Sequence, residues 1–292
     1  MILITGAGGF VGRHLISRLR MEGSRQIIPL YRSKRFTFGD NGLFMDLADT
    51  EHVRMLSELD LDVNRVIHLA GELAKPDLSL SQLYKSNILS TVNLLEYCSD
   101  TGVGQIIFSS SYKIYGFPTG NTVTEESPLN PLDHYSLSKV CCEEILKLAS
   151  TDGLSIMSFR FPSIYSEENA AGAVFNFCME AIQKGTITIK ATVPTPFDAI
   201  NINDVVSSLL CAVSKPPVPG YSAYNISTGK PNSLIILADL IASLVPECRV
   251  YYPETPQPVR IFDSTKARHV FGWKPHPPKI HLRRMLKVMA ND

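Results

Sequence analysis

The chain has 292 residues, enough for one large domain or two modest ones with a substantial buried core. Hydrophobic residues make up 45% and charged residues 19%, and 28 Lys and Arg balance 28 Asp and Glu. That neutral balance leaves no electrostatic footprint for nucleic acid or an anionic membrane as partner. No apolar run approaches the roughly 20 residues that a membrane span needs. The cysteines at 98, 141, 142, 178, 211 and 248 have neither zinc-site nor disulfide-framework spacing, so no metal is expected. The chain enters a strand-like Met1–Ile4 with no basic stretch before it, which favours a cytoplasmic protein without a signal peptide.

Short apolar runs alternate with longer amphipathic stretches through the first half. Ile2–Ile4 reads as a strand, Phe10–Glu22 as a helix and Ile27–Tyr31 as the next strand. Leu43–Met45 precedes a helix over Thr50–Leu59, and Val66–Leu69 precedes a long helix over Ser79–Ser99. Ile106–Phe108 leads, after a long loop, to a helix over Tyr135–Ser150 and then a strand over Ile156–Arg160. Strands alternating with helices predict βαβ units and a parallel sheet, and the unbroken apolar runs suit strands buried on both faces. Beyond Phe161 the rhythm loosens, with prolines clustered at 194–196, 216–219, 253–258 and 275–278. A helix over Asn203–Val213 and a strand over Ala223–Ile226 return to the main sheet. The fold class is therefore α/β, a Rossmann-type doubly wound sheet with a smaller interleaved C-terminal lobe. The expected dinucleotide domain spans 1–163 with a returning segment at about 198–227. The expected substrate lobe spans 164–197 and 228–292.

Between the first strand and the first helix lies Thr5-Gly6-Ala7-Gly8-Gly9-Phe10-Val11-Gly12. Gly6, Gly9 and Gly12 form a spacing variant of the dinucleotide fingerprint. Glycine permits the tight turn and the close approach of a pyrophosphate, and the helix N-terminus offers free N–H groups. An NAD-type site puts an acid about 20 residues further on, against the ribose hydroxyls. Here that position is Arg32, within Tyr31-Arg32-Ser33-Lys34-Arg35, and no Asp or Glu lies between Glu22 and Asp40. Two guanidiniums, an ammonium and a hydroxyl suit a 2′-phosphate, so NADP(H) is favoured over NAD(H).

Tyr135 and Lys139 stand four residues apart at the start of a helix, which puts both on one face. A phenol ordinarily titrates near 10, and a neighbouring ammonium together with an oxidised nicotinamide lowers that value toward neutrality. Such a group moves a proton to or from a hydroxyl. Ser109-Ser110-Ser111 ends a buried strand at the carboxyl edge, where open α/β sheets place their sites.

With Ser111-Tyr112-Lys113-Ile114-Tyr115-Gly116, the chain resembles the extended short-chain dehydrogenase/reductases. This group includes nucleotide-sugar epimerases, dehydratases and reductases. The resemblance implies that Ser111, Tyr135 and Lys139 are catalytic, with Ser111 also against the substrate oxygen. It implies cofactor contacts at Gly6, Gly9, Phe10, Val11, Gly12 and Arg32, at Asp46 and Leu47 beside the adenine, and at Leu69, Ala70 and Gly71 of the His68-Leu-Ala-Gly71 segment. Asn87, Tyr135 and Lys139 complete that set, and Ser163 and Arg260 are implied on the substrate. Trp273 reads as core.

Two departures restrict the reaction. Relatives that eliminate water carry Thr-Asp-Glu where this chain has Ser111-Tyr112-Lys113, so the acid and base for dehydration are missing. Many relatives offer the substrate diphosphate an arginine where this chain has Phe197, leaving Arg260 as the expected clamp. The resulting expectation is an NAD(P)-dependent enzyme acting by hydride transfer on a nucleotide sugar, with a 4-ketoreductase ahead of a 4-epimerase that keeps its cofactor. A reductase of a non-nucleotide ketone and a non-catalytic NADP(H) sensor rank lower. The helices Ser79–Ser99 and Tyr135–Ser150 occupy the family's dimer positions, and a homodimer is expected.

Overall fold

The computed structural model describes residues 1–24, 26–33, 42–150, 153–170, 172–190, 196–255 and 258–291. In chain order the elements begin with β1 (Ile2–Thr5), α1 (Phe10–Met21), β2 (Ile27–Tyr31), β3 (Leu43–Phe44), α2 (Thr50–Glu58) and β4 (Arg65–His68). Then follow α3 (Leu80–Tyr84), a π-helical turn (Lys85–Leu89), α4 (Ser90–Thr101), β5 (Gln105–Ser111), a 3-10 turn (Tyr112–Tyr115) and β6 (Thr122–Val123). Next are α5 (His134–Ala149), β7 (Ser155–Phe161), β8 (Ser163–Tyr165), α6 (Ala173–Lys184), β9 (Thr186–Thr188) and β10 (Ala199–Asn201). The chain closes with α7 (Ile202–Val213), β11 (Gly220–Asn225), α8 (Leu234–Ala242), β12 (Arg249–Tyr251), β13 (Ile261–Phe262), α9 (Thr265–Phe271) and α10 (Pro278–Met289).

Seven strands form the main sheet in the order β11-β7-β5-β4-β1-β2-β3. The pairings β1–β2, β1–β4, β2–β3 and β4–β5 are parallel, with Leu3 opposite Ile28 on one side and Val66 on the other. Strand order reverses between β1 and β4, so a crevice opens at their carboxyl ends. Leu3, Ile4, Val66 and Ile106 are fully buried, as strands covered on both faces require.

The chain divides into two compact units, Met1–Ile114 with Leu129–Arg160 and Ala212–Tyr224, and Tyr115–Pro128 with Phe161–Cys211 and Asn225–Asp292. In the first, Leu3, Leu30, Leu56, Leu94, Ile106 and Leu146 belong to one hydrophobic core. In the second, Val174, Phe177, Cys178, Leu237, Ile241 and Leu282 belong to another. Trp273 is buried there, and its indole N–H donates to the Asp204 carbonyl at 3.1 Å. All six cysteines are free thiols. Among the described residues no helix is long and apolar enough to cross a membrane.

The long helix predicted over Ser79–Ser99 is interrupted. A capping box of Ser79 and Gln82 starts α3, and the π-helical turn at Lys85–Leu89 separates it from α4. Widening this turn frees the Asn87 carbonyl, which accepts from the Thr91 hydroxyl at 2.7 Å and the Cys142 thiol at 3.3 Å. Single π turns inside helices recur at functional sites, and this one aims Asn87 at the site.

Candidate dinucleotide and proton-transfer site

The glycine turn is shaped by space that no side chain can enter. Gly6 has φ +64°, and a Cβ there would lie 2.6 Å from the Ala70 nitrogen. A Cβ on Gly12 would overlap the Gly6 carbonyl oxygen. Gly9 caps α1 with no side-chain hydrogen bond, so the first-turn N–H groups of Phe10, Val11 and Gly12 face outward as a cradle for an anion. These features fit the pyrophosphate of a dinucleotide.

A cleft of about 340 Å³ opens beside this turn. It collects Gly6, Gly9, Arg32, Asp46, Leu47, Leu69, Ala70 and Gly71 from the residues expected at the cofactor, together with Glu72 and Lys75. Phe10, Val11, Gly12, Asn87, Tyr135 and Lys139 are not in its lining. Asp46 folds back to accept from the Ala48 N–H at 3.0 Å, and Leu47 is buried with its carbonyl held by the Asn93 amide at 2.7 Å. Lys34 and Arg35 lie outside the described residues.

Beneath the cleft a chain of hydrogen bonds fixes the β1 and β4 ends. Thr5 Oγ1 lies 2.8 Å from His68 Nδ1 and accepts from the Ala70 N–H at 3.1 Å, while His68 Nε2 lies 3.1 Å from Thr91 Oγ1. Burial, aided by the charge of Lys139, pushes the His68 imidazole down to about 3. It is therefore neutral at physiological pH.

Asn87 makes a two-point clasp on the loop after β4. Its Oδ1 accepts from the Glu72 N–H at 2.7 Å, and its Nδ2 donates to the Glu72 carbonyl at 3.1 Å and the Ser138 hydroxyl at 2.8 Å. Glu72 in turn accepts from Arg32 at 2.6 Å, with Lys75 at 3.3 Å from its other oxygen. Burial alone would raise the Glu72 carboxyl, but the hydrogen bonds and charges of Arg32 and Lys75 together hold it below its ordinary value. Sequence reasoning missed Glu72, although an acid directly after His68-Leu-Ala-Gly71 was visible.

The structure brings Ser111, Tyr135 and Lys139 together. Asp133 and Ser136 form a capping box that starts α5, which places Tyr135 in the first helical turn. Ser111 closes β5 and is buried, and its Oγ accepts from the Lys113 N–H at 3.3 Å. Lys139 is buried, donates to the Ser109 carbonyl at 2.8 Å and stands 5.9 Å from the Tyr135 ring centroid. A Cβ on Gly71 would approach Lys139 Nζ to 3.3 Å, so the ammonium adjoins a residue of the cleft wall.

The lowering expected for Tyr135 invoked an oxidised nicotinamide as well as Lys139, and the protein's own groups act the other way. Burial pushes the phenol up to about 12, and a hydrogen bond with Ser111 opposes that shift. Burial also lowers the Lys139 ammonium, partly offset by Cys142 and Glu143. The phenol is thus held protonated until a further positive charge comes beside it.

Ser163 and Arg260 belong to the second unit. Ser163 lies on β8 with its N–H on the Asp198 carbonyl at 3.1 Å. Arg260 Nε donates to the Pro118 carbonyl at 3.4 Å. Phe197, where many relatives have arginine, packs against this unit's apolar core. Sequence reasoning also missed Asp204, which accepts from His276 at 2.8 Å and His281 at 2.9 Å.

A Rossmann sheet with a glycine turn at the β1–α1 junction and a Ser–Tyr–Lys set beside the crevice defines the class of extended short-chain dehydrogenase/reductases. Within that class the chain belongs to the NAD dependent epimerase/dehydratase family, whose sequence profile matches residues 2–227. It is 28% identical to a putative UDP-glucose 4-epimerase of Methanocaldococcus jannaschii, a match covering 100% of this chain and 97% of that one. A short-chain dehydrogenase/reductase superfamily protein of Agrobacterium tumefaciens, solved with bound NAD, has the same fold. The TM-score is 0.80 at 20% identity, over 100% of this chain and 96% of that one. The UDP-glucose 4-epimerase of Thermotoga maritima, solved with UDP-glucose, gives a TM-score of 0.77 at 24% identity, over 99% and 98% of the two chains.

Proposed function

We propose that the chain is a nucleotide-sugar 4-epimerase that uses a nicotinamide dinucleotide, with UDP-glucose and UDP-galactose as the first substrates to try. The observation that carries this reading is Tyr135, a phenol in the first turn of α5 with Ser111 beside it and Lys139 against the wall of the glycine-turn cleft. In this reading the phenol is the proton-transfer group, and a nicotinamide ring held by the cleft would accept and return the hydride. Similarity over the full chain to a putative UDP-glucose 4-epimerase supports the choice of reaction.

In this reading Tyr135 takes the proton of the sugar C4 hydroxyl and later returns it to the same oxygen. Ser111 orients that oxygen, and Lys139 holds the ribose and supplies positive charge to the phenolate. Ser163 and Arg260 are the residues proposed to contact substrate, with Arg260 replacing the diphosphate clamp that Phe197 lacks. The second reading is a 4-ketoreductase using NADPH, and Arg32 at the end of β2 is the observation that favours it.

The assay is UDP-glucose with the purified protein and no net redox partner. Interconversion with UDP-galactose is expected. Stoichiometric NADPH oxidation by a 4-keto sugar, without interconversion, would move the reductase ahead.

A homodimer belongs to the same proposal. Of the apolar residues that these helices offer to an interface or to the core, Leu80 and Leu148 are exposed, Leu95 and Ile145 half-buried, and Leu83 and Leu94 buried in their own unit. Light scattering should give twice the chain mass at tens of micromolar, and a monomer mass would remove this part.

A further inference from the structure

We propose that Glu72 is the residue that sets the choice of dinucleotide, and that it directs the site to NAD(H) in spite of Arg32. The inference rests on the reading of the cleft as a dinucleotide site. Arg32 stands where an acid would grip the ribose hydroxyls, and taken alone it invites a 2′-phosphate. In the folded chain its guanidinium is already engaged. Glu72 arrives from the loop after β4, 40 residues further along the chain, and accepts from Arg32 Nη2 at 2.6 Å. Both residues line the cleft.

The carboxylate is not there by the accident of a long, free side chain. Its backbone is held on both sides by the Asn87 amide, which is anchored in the π-helical turn and on Ser138. The Glu72 side chain is only 16% exposed, against 59% for Arg32, so the acid is the fixed member of the pair. A 2′-phosphate carrying nearly two negative charges would have to displace Glu72 from Arg32 and then remain beside it. Like charges at that distance disfavour each other, and the cost is larger in a partly buried cleft than in water. Two free ribose hydroxyls meet no such obstacle, since a carboxylate accepts from both. Glu72 thereby supplies, from across β1, the acid that β2 lacks. Lys75, 3.3 Å from the other carboxylate oxygen, adds a cation to the same cluster, and Asp46 lines the same cleft.

The experiment titrates NADH and NADPH separately into the purified full chain and reads nicotinamide fluorescence, which needs no turnover. Wild type is expected to bind NADH more tightly. Glu72→Gln keeps the side-chain shape and the Asn87 clasp, and it should shift the ratio of the two dissociation constants toward NADPH by at least about tenfold. Because Glu72 both occupies Arg32 and faces the ribose itself, the same substitution in an Arg32→Ala background should still shift the ratio toward NADPH, by less than in wild type. Thermal unfolding of each variant guards against a folding defect, and the exposed Arg32→Ala variant supplies an independent arm. Tighter NADPH binding by wild type, or a ratio unmoved by Glu72→Gln, would overturn the inference while leaving the epimerase reading intact. Failure to bind either cofactor would remove the reading of the cleft and this inference with it.

Discussion

The two units of the molecule use buried polar groups in different ways. In the first, His68 between Thr5 and Thr91, Asn87 on Glu72, and Lys139 on Ser109 all brace the strand ends and loops around the glycine-turn cleft. In the second, buried carboxylates tie segments of that unit that are distant in sequence. Asp198 accepts from Ser227 and Asn232, and Asp204 from His276 and His281. The first pattern arranges groups around a space and the second closes a structure. A buried network near a cleft therefore deserves a functional reading only when its bonds converge on that cleft.

The largest expected effect separates chemistry from scaffold. Tyr135→Phe removes one oxygen and should reduce kcat/KM by about 10²- to 10⁴-fold, the range for a lost general acid–base. Cofactor binding should change little. A variant keeping more than about a tenth of wild-type activity would falsify the role given to this tyrosine.

The next effect is on stability within the first unit. Arg160 meets Glu143 through Nη2 at 2.6 Å and Nε at 3.1 Å, with the Tyr221 hydroxyl on the same carboxylate at 3.0 Å. Glu143→Ala removes the buried carboxylate that meets the Arg160 guanidinium and should cost about 3–5 kcal/mol. Arg54→Ala, which breaks exposed pairs to Glu51 and Glu58, should cost less than about 1 kcal/mol. Denaturant midpoints check both, and similar losses would deny that burial distinguishes the pairs.

The smallest effect opposes the two units directly. Burial lowers His68 to about 3 in the first and raises Asp198 to about 6 in the second. A histidine kept neutral on folding contributes stability that is present above its unfolded pKa and lost as pH falls below about 6.5. From pH 7 to pH 5 that loss is about 2 kcal/mol. A carboxyl raised on folding does the reverse, and protonation of Asp198 should return about 1.4 kcal/mol over the same interval. Hydrogen exchange at the two pH values, corrected for intrinsic rates, should show amides near His68 opening more easily and those near Asp198 less easily. Parallel changes would contradict the assignment.

What was legible in the sequence was what depends on neighbours along the chain. The seven-stranded sheet follows from short apolar runs, and the glycine turn from its place between a strand and a helix. Ser111 could be located because it ends a buried strand, and Tyr135 with Lys139 because four residues complete about one helical turn. What was hidden depends on partners far away. The π-helical turn at Asn87 has no proline or glycine to announce it and follows from bonds to Thr91, Cys142 and the Glu72 loop. Arg32 read alone pointed to a 2′-phosphate because its counter-ion lies 40 positions on. His276 and His281 meet Asp204 across 72 and 77 positions. The burial that raises the Tyr135 phenol is likewise set by distant packing, and spacing along the helix shows Lys139 but not that burial.

The most direct measurement of the central claim follows one atom. UDP-glucose carrying deuterium at C4 is incubated with the enzyme in ordinary water, and the products are read by mass spectrometry and NMR. If Tyr135 moves only the hydroxyl proton and the hydride leaves and returns to the same carbon, UDP-galactose forms with deuterium still at C4. Loss of the label to solvent, or no UDP-galactose at all, would contradict a 4-epimerase built on this site.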